Sequence, residues 1–142
     1  GMKNQKWPKR DLNTHYFPVP NEVFLLNLSP GELAVYCYLL FRENRKTYQC
    51  WPSYKRIGEA VGMSVNTVSK YVKSLEERGF ITTEQTSVVT KSGQKRNGNL
   101  LYTICPIQPV LDQFYASQLV RMEQALRQQK TEKGNTEQES PV

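Results

Sequence analysis

Ile57-Gly58-Glu59-Ala60-Val61-Gly62-Met63-Ser64-Val65-Asn66-Thr67-Val68-Ser69-Lys70-Tyr71-Val72 is the stretch whose spacing decides the fold. Ile57, Val61, Val68, Tyr71, Val72 and, beyond it, Leu75 recur at helical spacing, so two short helices can press one face each onto a shared core. Gly62-Met63-Ser64 forms the corner between them, with Ser64 placed to cap the second helix. That second helix should bury Val65, Val68, Tyr71, Val72 and Leu75. It should turn Asn66, Thr67, Ser69, Lys70 and Lys73 outward. Gly58 costs about 1 kcal/mol against alanine inside a helix, and a close approach of the two helices would explain its presence.

The chain around this pair has 142 residues, enough for one domain with appendages. A net charge of +6 favours an acidic partner such as nucleic acid or an anionic membrane surface, although plain solubility also accounts for it. The longest apolar run, Leu33 to Phe41, is too short to span a bilayer, so no membrane partner is expected. Cys37, Cys50 and Cys105 form no CxxC pair, and no secretory segment is visible. A reducing cytoplasm is the expected location, with no metal and no cofactor.

Working back from the pair, Ser53 can cap the first helix, Tyr54 to Val61. Thr47-Tyr48-Gln49-Cys50-Trp51 is rich in strand formers and stops at Pro52. Ser29-Pro30-Gly31-Glu32 has the form of a capping box with proline at the first helical position. The helix it starts should reach about Asn44. That helix is apolar almost all round, so a partner subunit or another helix must cover its second face. Phe17-Pro18-Val19-Pro20 is an extended lead-in, and Asn21 can cap a short turn after it. Residues 1–16 carry Lys3, Lys6, Lys9 and Arg10 and read as a basic flexible arm, either laid along DNA or simply solvated. His15, the sole histidine, has no catalytic or metal partner in view.

Working forward, the second helix should run to about Arg78, with Gly79 as its left-handed stop. Residues 80–85, extended by Val88-Val89, and residues 100–104 form two strands. Residues 90–99 between them hold two glycines, two asparagines and the unopposed cations Lys91, Lys95 and Arg96. This is a β-hairpin with a long basic tip. Residues 107–130 regain helical spacing, and Leu111, Tyr115, Leu119, Met122 and Leu126 trace a short coiled-coil-like seam. The seam can serve self-association, through helices 29–44 and 110–127 of a homodimer, or can cover helix 29–44 within one chain. Residues 131–142 are polar and expected to be disordered.

The order helix, strand, helix, helix, strand, basic loop, strand is that of a winged helix-turn-helix. The fold class is therefore mainly α with a small antiparallel β-wing, a winged helix-turn-helix spanning residues 17–106 plus a C-terminal helix. Cys50-Trp51-Pro52-Ser53, Ile57-Gly58, Val61-Gly62-Met63-Ser64, Thr67-Val68 and Leu75-Glu76-Glu77-Arg78-Gly79-Phe80-Ile81 resemble a helix-turn-helix family of bacterial mobile-element and phage-type regulators and plasmid replication initiators. The resemblance covers roughly residues 17–104.

It implies binding of double-stranded DNA. Asn66, Thr67, Ser69, Lys70 and Lys73 are expected in the major groove, with Ser64 at the corner. Asn66 can pair with adenine, and Lys70 can reach guanine acceptors. Ser53, Tyr54, Lys55 and Arg56 are expected on phosphates at a helix N-terminus. Lys91, Lys95 and Arg96 are expected on the flanking backbone or minor groove. A transcriptional regulator is the first expectation. A replication-initiation or partition protein, and a winged helix used as a protein-interaction module, stand as alternatives. An enzyme is not expected, because no nucleophile-base grouping, phosphate loop or paired carboxylates occur. Nor does the chain offer an evident seat for a small-molecule regulator.

Overall fold

The computed structural model describes residues 6–139. The chain divides into two units, one ending at Cys105 and the other starting at Pro106. In the first, a 3-10 turn at Asn21–Phe24 precedes α1 (Pro30–Arg42), β1 (Gln49–Cys50), α2 (Tyr54–Val61), α3 (Val65–Glu77), β2 (Ile81–Val89) and β3 (Lys95–Ile104). The second is α4 (Ile107–Glu139). The three strands form one antiparallel sheet in the order β1-β3-β2. This is a winged helix-turn-helix, three helices packed on a sheet whose β2–β3 hairpin is the wing.

Each helix of the first unit starts where its sequence supplies a cap. Ser29 and Glu32 close a full capping box at α1, with the Ser29 hydroxyl accepting from the Glu32 N–H and the Glu32 carboxylate accepting from the Ser29 N–H. Ser53 and Ser64 accept from the N–H groups of Arg56 and Thr67 at the starts of α2 and α3. These bonds satisfy donors that a helix leaves open at its first turn. Asn21 does not act as the cap expected of it. Pro20 occupies that position, no side chain caps the turn, and Asn21 is the first residue inside it.

The core gathers Val35, Tyr36 and Leu39 of α1, Ile57 of α2, Val68, Val72 and Leu75 of α3, and Phe80, Ile81 and Tyr102 of the sheet. Tyr36 and Phe80 meet edge-on with centroids 5.1 Å apart, which ties α1 to the start of the hairpin. Gly58 lies where α2 and the corner touch. A Cβ there would stand 2.4 Å from the Met63 carbonyl oxygen, and the Gly58 carbonyl itself accepts from the N–H groups of Gly62 and Met63. Gly62 turns the corner at φ 74°, a left-handed conformation that glycine adopts without strain.

Several boundaries differ from the sequence expectation. The first strand is reduced to Gln49–Cys50, because Tyr48 takes φ 61° and the chain turns through Thr47 and Tyr48. The hairpin strands run far beyond the expected ends. Val88 and Val89 pair with Arg96 and Lys95, so the turn shrinks to residues 90–94 with Gly93 at φ 81°. Main-chain pairing extends the ladder through a stretch whose polar side chains show no alternation. Val65 is 47% exposed, since the first position after the Ser64 cap faces away from the core.

The second face of α1 meets a neighbour at Phe41, which nonetheless stays 58% exposed. Phe17 of the extended lead-in packs edge-on against Phe41 at 5.5 Å. The C-terminal helix starts at Ile107 and continues past the expected end near Lys130 to Glu139. Residues 131–139, expected to be disordered, continue it, and Glu132, Lys133, Glu137, Gln138 and Glu139 are residues of good helix propensity. The expectations for residues 1–5 and 140–142 lie outside the described residues.

Candidate nucleic-acid interface

The exposed side of the two-helix motif is built from the caps outward. Ser64 does more than cap. Its hydroxyl also shares a hydrogen bond of 2.9 Å with the Thr67 hydroxyl. Thr67 is thus held by its oxygen, leaving its methyl as the freer contact. Asn66 is exposed one position along and forms no hydrogen bond with the protein among the described residues, so its carboxamide keeps full donor and acceptor capacity. Lys70 and Lys73 are exposed, and Ser69 is half-buried. The Lys70 ammonium lies 5.6 Å from the centroid of the Tyr71 ring, which draws it along the helix surface. Val65, expected in the core, joins this outer face and offers an apolar contact of the kind a thymine methyl accepts.

Tyr71 is oriented by a residue that sequence reading passed over. A Cβ on Gly31 would fall 2.2 Å from the Tyr71 ring, so the bare backbone of α1 is what lets the ring lie there. The far end of α3 is fixed by a second device. Glu32 is only 6% exposed. Its carboxylate accepts from the Ser74 hydroxyl at 2.7 Å and from Arg78 at 3.2 Å, besides its capping bond. Arg78 reaches on to the carbonyls of Leu26 and Asn27. Burial alone would raise the Glu32 pKa. The hydrogen bonds from Ser29 and Ser74 and the Arg78 charge outweigh it and hold the group below its ordinary value. Glu32 was legible as half of a capping box. Its grip on α3 was not, although Ser74 and Arg78 stand one helical turn apart.

On α2, Lys55 and Arg56 are exposed in the first turn, while Ser53 and Tyr54 are half-buried beside the base of the wing. In the wing, only Lys91 lies in the turn. Lys95 and Arg96 belong to β3, where successive side chains point to opposite faces of the ribbon. Those two cations therefore do not act as one tip, contrary to the expectation of a basic loop. The exposed Val88 and Val89 oppose them on β2.

Known proteins share this fold. Residues 26–81 match a family described as a helix-turn-helix domain, from the turn before α1 to the start of β2. No curated protein matches the chain. Among solved structures the chain is similar to one from Methanosarcina mazei Go1 described as a possible transcriptional regulator. The identity is 23%, covering 72% of this chain and 80% of that one, with a TM-score of 0.50. It is also similar to TrmBL2, described as an archaeal chromatin protein with a novel mode of DNA binding. There the identity is 17%, covering 92% of this chain and 42% of that one, with a TM-score of 0.53. The chain thus spans less than half of TrmBL2. At these identities the likeness establishes the winged helix-turn-helix fold. Among the described residues, no helix is long and apolar enough to cross a membrane.

Proposed function

We propose that the chain is a sequence-specific double-stranded DNA-binding protein that acts as a cytoplasmic transcriptional regulator and not as an enzyme. The observation that carries this reading is the outer face of α3. Asn66, Lys70 and Lys73 are exposed on a helix whose opposite face is locked into the core. A helix of this kind fits the major groove, where carboxamide and ammonium groups read base edges. Asn66 reads a base, the Thr67 methyl and Val65 offer apolar contacts, and Lys70 and Lys73 contact guanine or phosphate. Ser53, Tyr54, Lys55 and Arg56 take the neighbouring phosphates, aided by the positive end of α2. Lys91 and one of Lys95 or Arg96 touch the flanking backbone. Two copies associate through α4 to meet successive half-sites about 34 Å apart.

Gel-shift titrations over a salt series test this. Replacing Asn66 and Thr67 by alanine should erase roughly 1–3 kcal/mol of discrimination per base contact while non-specific affinity remains. Replacing Lys91, Lys95 and Arg96 should weaken all duplexes alike and lower the salt slope by about 1 for each phosphate no longer neutralised. Unchanged specific binding in the Asn66/Thr67 variant would remove α3 from the groove. Footprinting on genomic DNA then separates the roles. An operator fits a regulator, a repeat array fits a replication or partition protein, and no protection fits a protein-interaction module.

A further inference from the structure

The wing outruns the sheet that supports it. β1 pairs with β3 only at Gln49↔Thr103 and Cys50↔Tyr102, and the chain then turns away toward α2. Beyond that level β2 and β3 continue as a two-stranded ribbon as far as the Val89↔Lys95 pair. A two-stranded hairpin on its own is only marginally stable in water. The angle at which the ribbon leaves the body must therefore be held by something other than the sheet. Close packing does not supply it, because an open cleft of about 290 Å³ lies between the base of the ribbon and Pro52, Ser53 and Tyr54.

A β-bulge sits at this level. Gly98 and Asn99 stand opposite the single residue Thr86, an insertion that bends the strand, sharpens its twist and re-aims its side chains. Gly98 is required there, since a Cβ would lie 2.5 Å from the Thr86 hydroxyl. Gln85 donates its side-chain amide to the Gly98 carbonyl at 2.9 Å, and the Thr86 hydroxyl donates to the Asn99 carbonyl. These bonds brace the bulge from inside the hairpin without reaching the body. The Asn99 side chain does reach it. Its Nδ2 donates to the Trp51 carbonyl at 3.1 Å. Among the described residues, this is the only hydrogen bond that joins residues 86–99 to anything outside the hairpin. The acceptor is a firm anchor. Trp51 precedes Pro52, which confines it to extended angles, and Pro52 leads straight into the Ser53 cap of α2.

We infer that Asn99 is a positioning residue for DNA binding. By tying the bulge to the entry of α2, it sets the wing at the angle from which the wing cations and α3 can meet one duplex together. Two binding elements held at a fixed angle engage DNA without first ordering the joint between them. The inference rests on the DNA-binding reading above and adds to it a residue that touches no DNA.

A double-mutant cycle in the full chain tests it. Asn99→Ala and the triple variant Lys91→Ala, Lys95→Ala, Arg96→Ala are made separately and together, and each is titrated on duplex by gel shift over a salt series. Asn99 is exposed, so its replacement leaves the core intact and thermal melting should stay near the wild type. Asn99→Ala should lose about threefold to tenfold in duplex affinity, the scale of one hydrogen bond. It should also reduce the salt slope although it removes no charge, because the wing then neutralises fewer phosphates. In the chain that lacks the three wing cations, the same replacement should cost nothing further. A neutral side chain that merely touched DNA or supported the fold would lower affinity equally in both backgrounds and leave the slope unchanged. That pattern, or wild-type binding by Asn99→Ala, overturns the inference and leaves DNA binding standing. A wild type that shifts no duplex at all overturns the DNA-binding reading and this inference with it.

Discussion

Glu32 and Glu43 stand at opposite ends of α1 and have opposite electrostatic standing. Glu32 sits at the positive end and gathers donors from Ser29, Ser74 and Arg78. Its lowered pKa means that its contribution to stability is complete above the unfolded value and is lost as pH falls through the folded one. Glu43 sits at the negative end as the C-cap. One of its carboxylate oxygens is buried without a partner, and burial, only partly countered by Arg45, raises its pKa. Its contribution runs the other way, present at low pH and lost as pH rises through the folded value. Glu32→Gln should therefore cost about 1–3 kcal/mol at neutral pH, a cost that shrinks as pH falls below 4.5. Glu43→Gln should gain up to about 1 kcal/mol above that range. Chemical unfolding from pH 3 to 7 checks both, and a pH-independent Glu32→Gln deficit would mean that another group titrates. The capping role of Glu32 was legible because Ser29 lies three residues away. Ser74 and Arg78 are more than forty residues distant, and nothing local marks a pairing that only the packing of α1 on α3 creates.

Among the elements, α3 was the most legible, because its caps and its apolar spacing agree. What stayed hidden was how its outer face is used. Ser64 serves two ends at once, capping α3 and holding the Thr67 hydroxyl. Ser64→Ala should cost about 1 kcal/mol of stability and free Thr67 to rotate. Ser64→Asp keeps a capping oxygen, so it should hold stability near wild type while placing a negative charge on the corner proposed to face DNA. Urea unfolding with gel shifts should show the alanine variant weak in stability and the aspartate variant weak in DNA binding. Equal loss of DNA binding in both would tie recognition to the helix start and not to charge at the corner. The wing was legible as a hairpin but not in its length. Lys95, Arg96 and Asn97 carry no apolar alternation, so the ladder that pairs them with residues 87–89 rests on main-chain bonds that leave no trace in side-chain pattern. The same blindness hid the bulge in β3, where Gly98 and Asn99 stand opposite the single residue Thr86.

For the whole molecule, the proposed dimer makes the spacing of two α3 helices the deciding quantity, and α4 is the element that would set it. It runs for 33 residues, about 50 Å at the rise of an α-helix. Helices in water owe most of their stability to packing an apolar face and little to propensity alone. Of the seam read from the sequence, Leu111 is buried, while Tyr115, Leu119, Met122 and Leu126 remain exposed on consecutive turns. Steps of four, three and four residues between those last four keep them on one stripe, the spacing that lets a second copy interlock along it. A pairing through that stripe has two-fold symmetry, which matches a palindromic site with half-sites one helical turn apart. Leu119→Glu with Leu126→Glu places like charges across such a seam at two exposed positions. Sedimentation equilibrium should show the wild type as a dimer at micromolar concentration and the double variant as a monomer that still melts cooperatively. On a palindromic duplex the variant should lose the steep, single-step shift and bind half-sites independently, with half-site affinity kept. A wild type that sediments as a monomer across that range would leave α4 without the pairing role, and the two half-sites would then have to be met by separate chains.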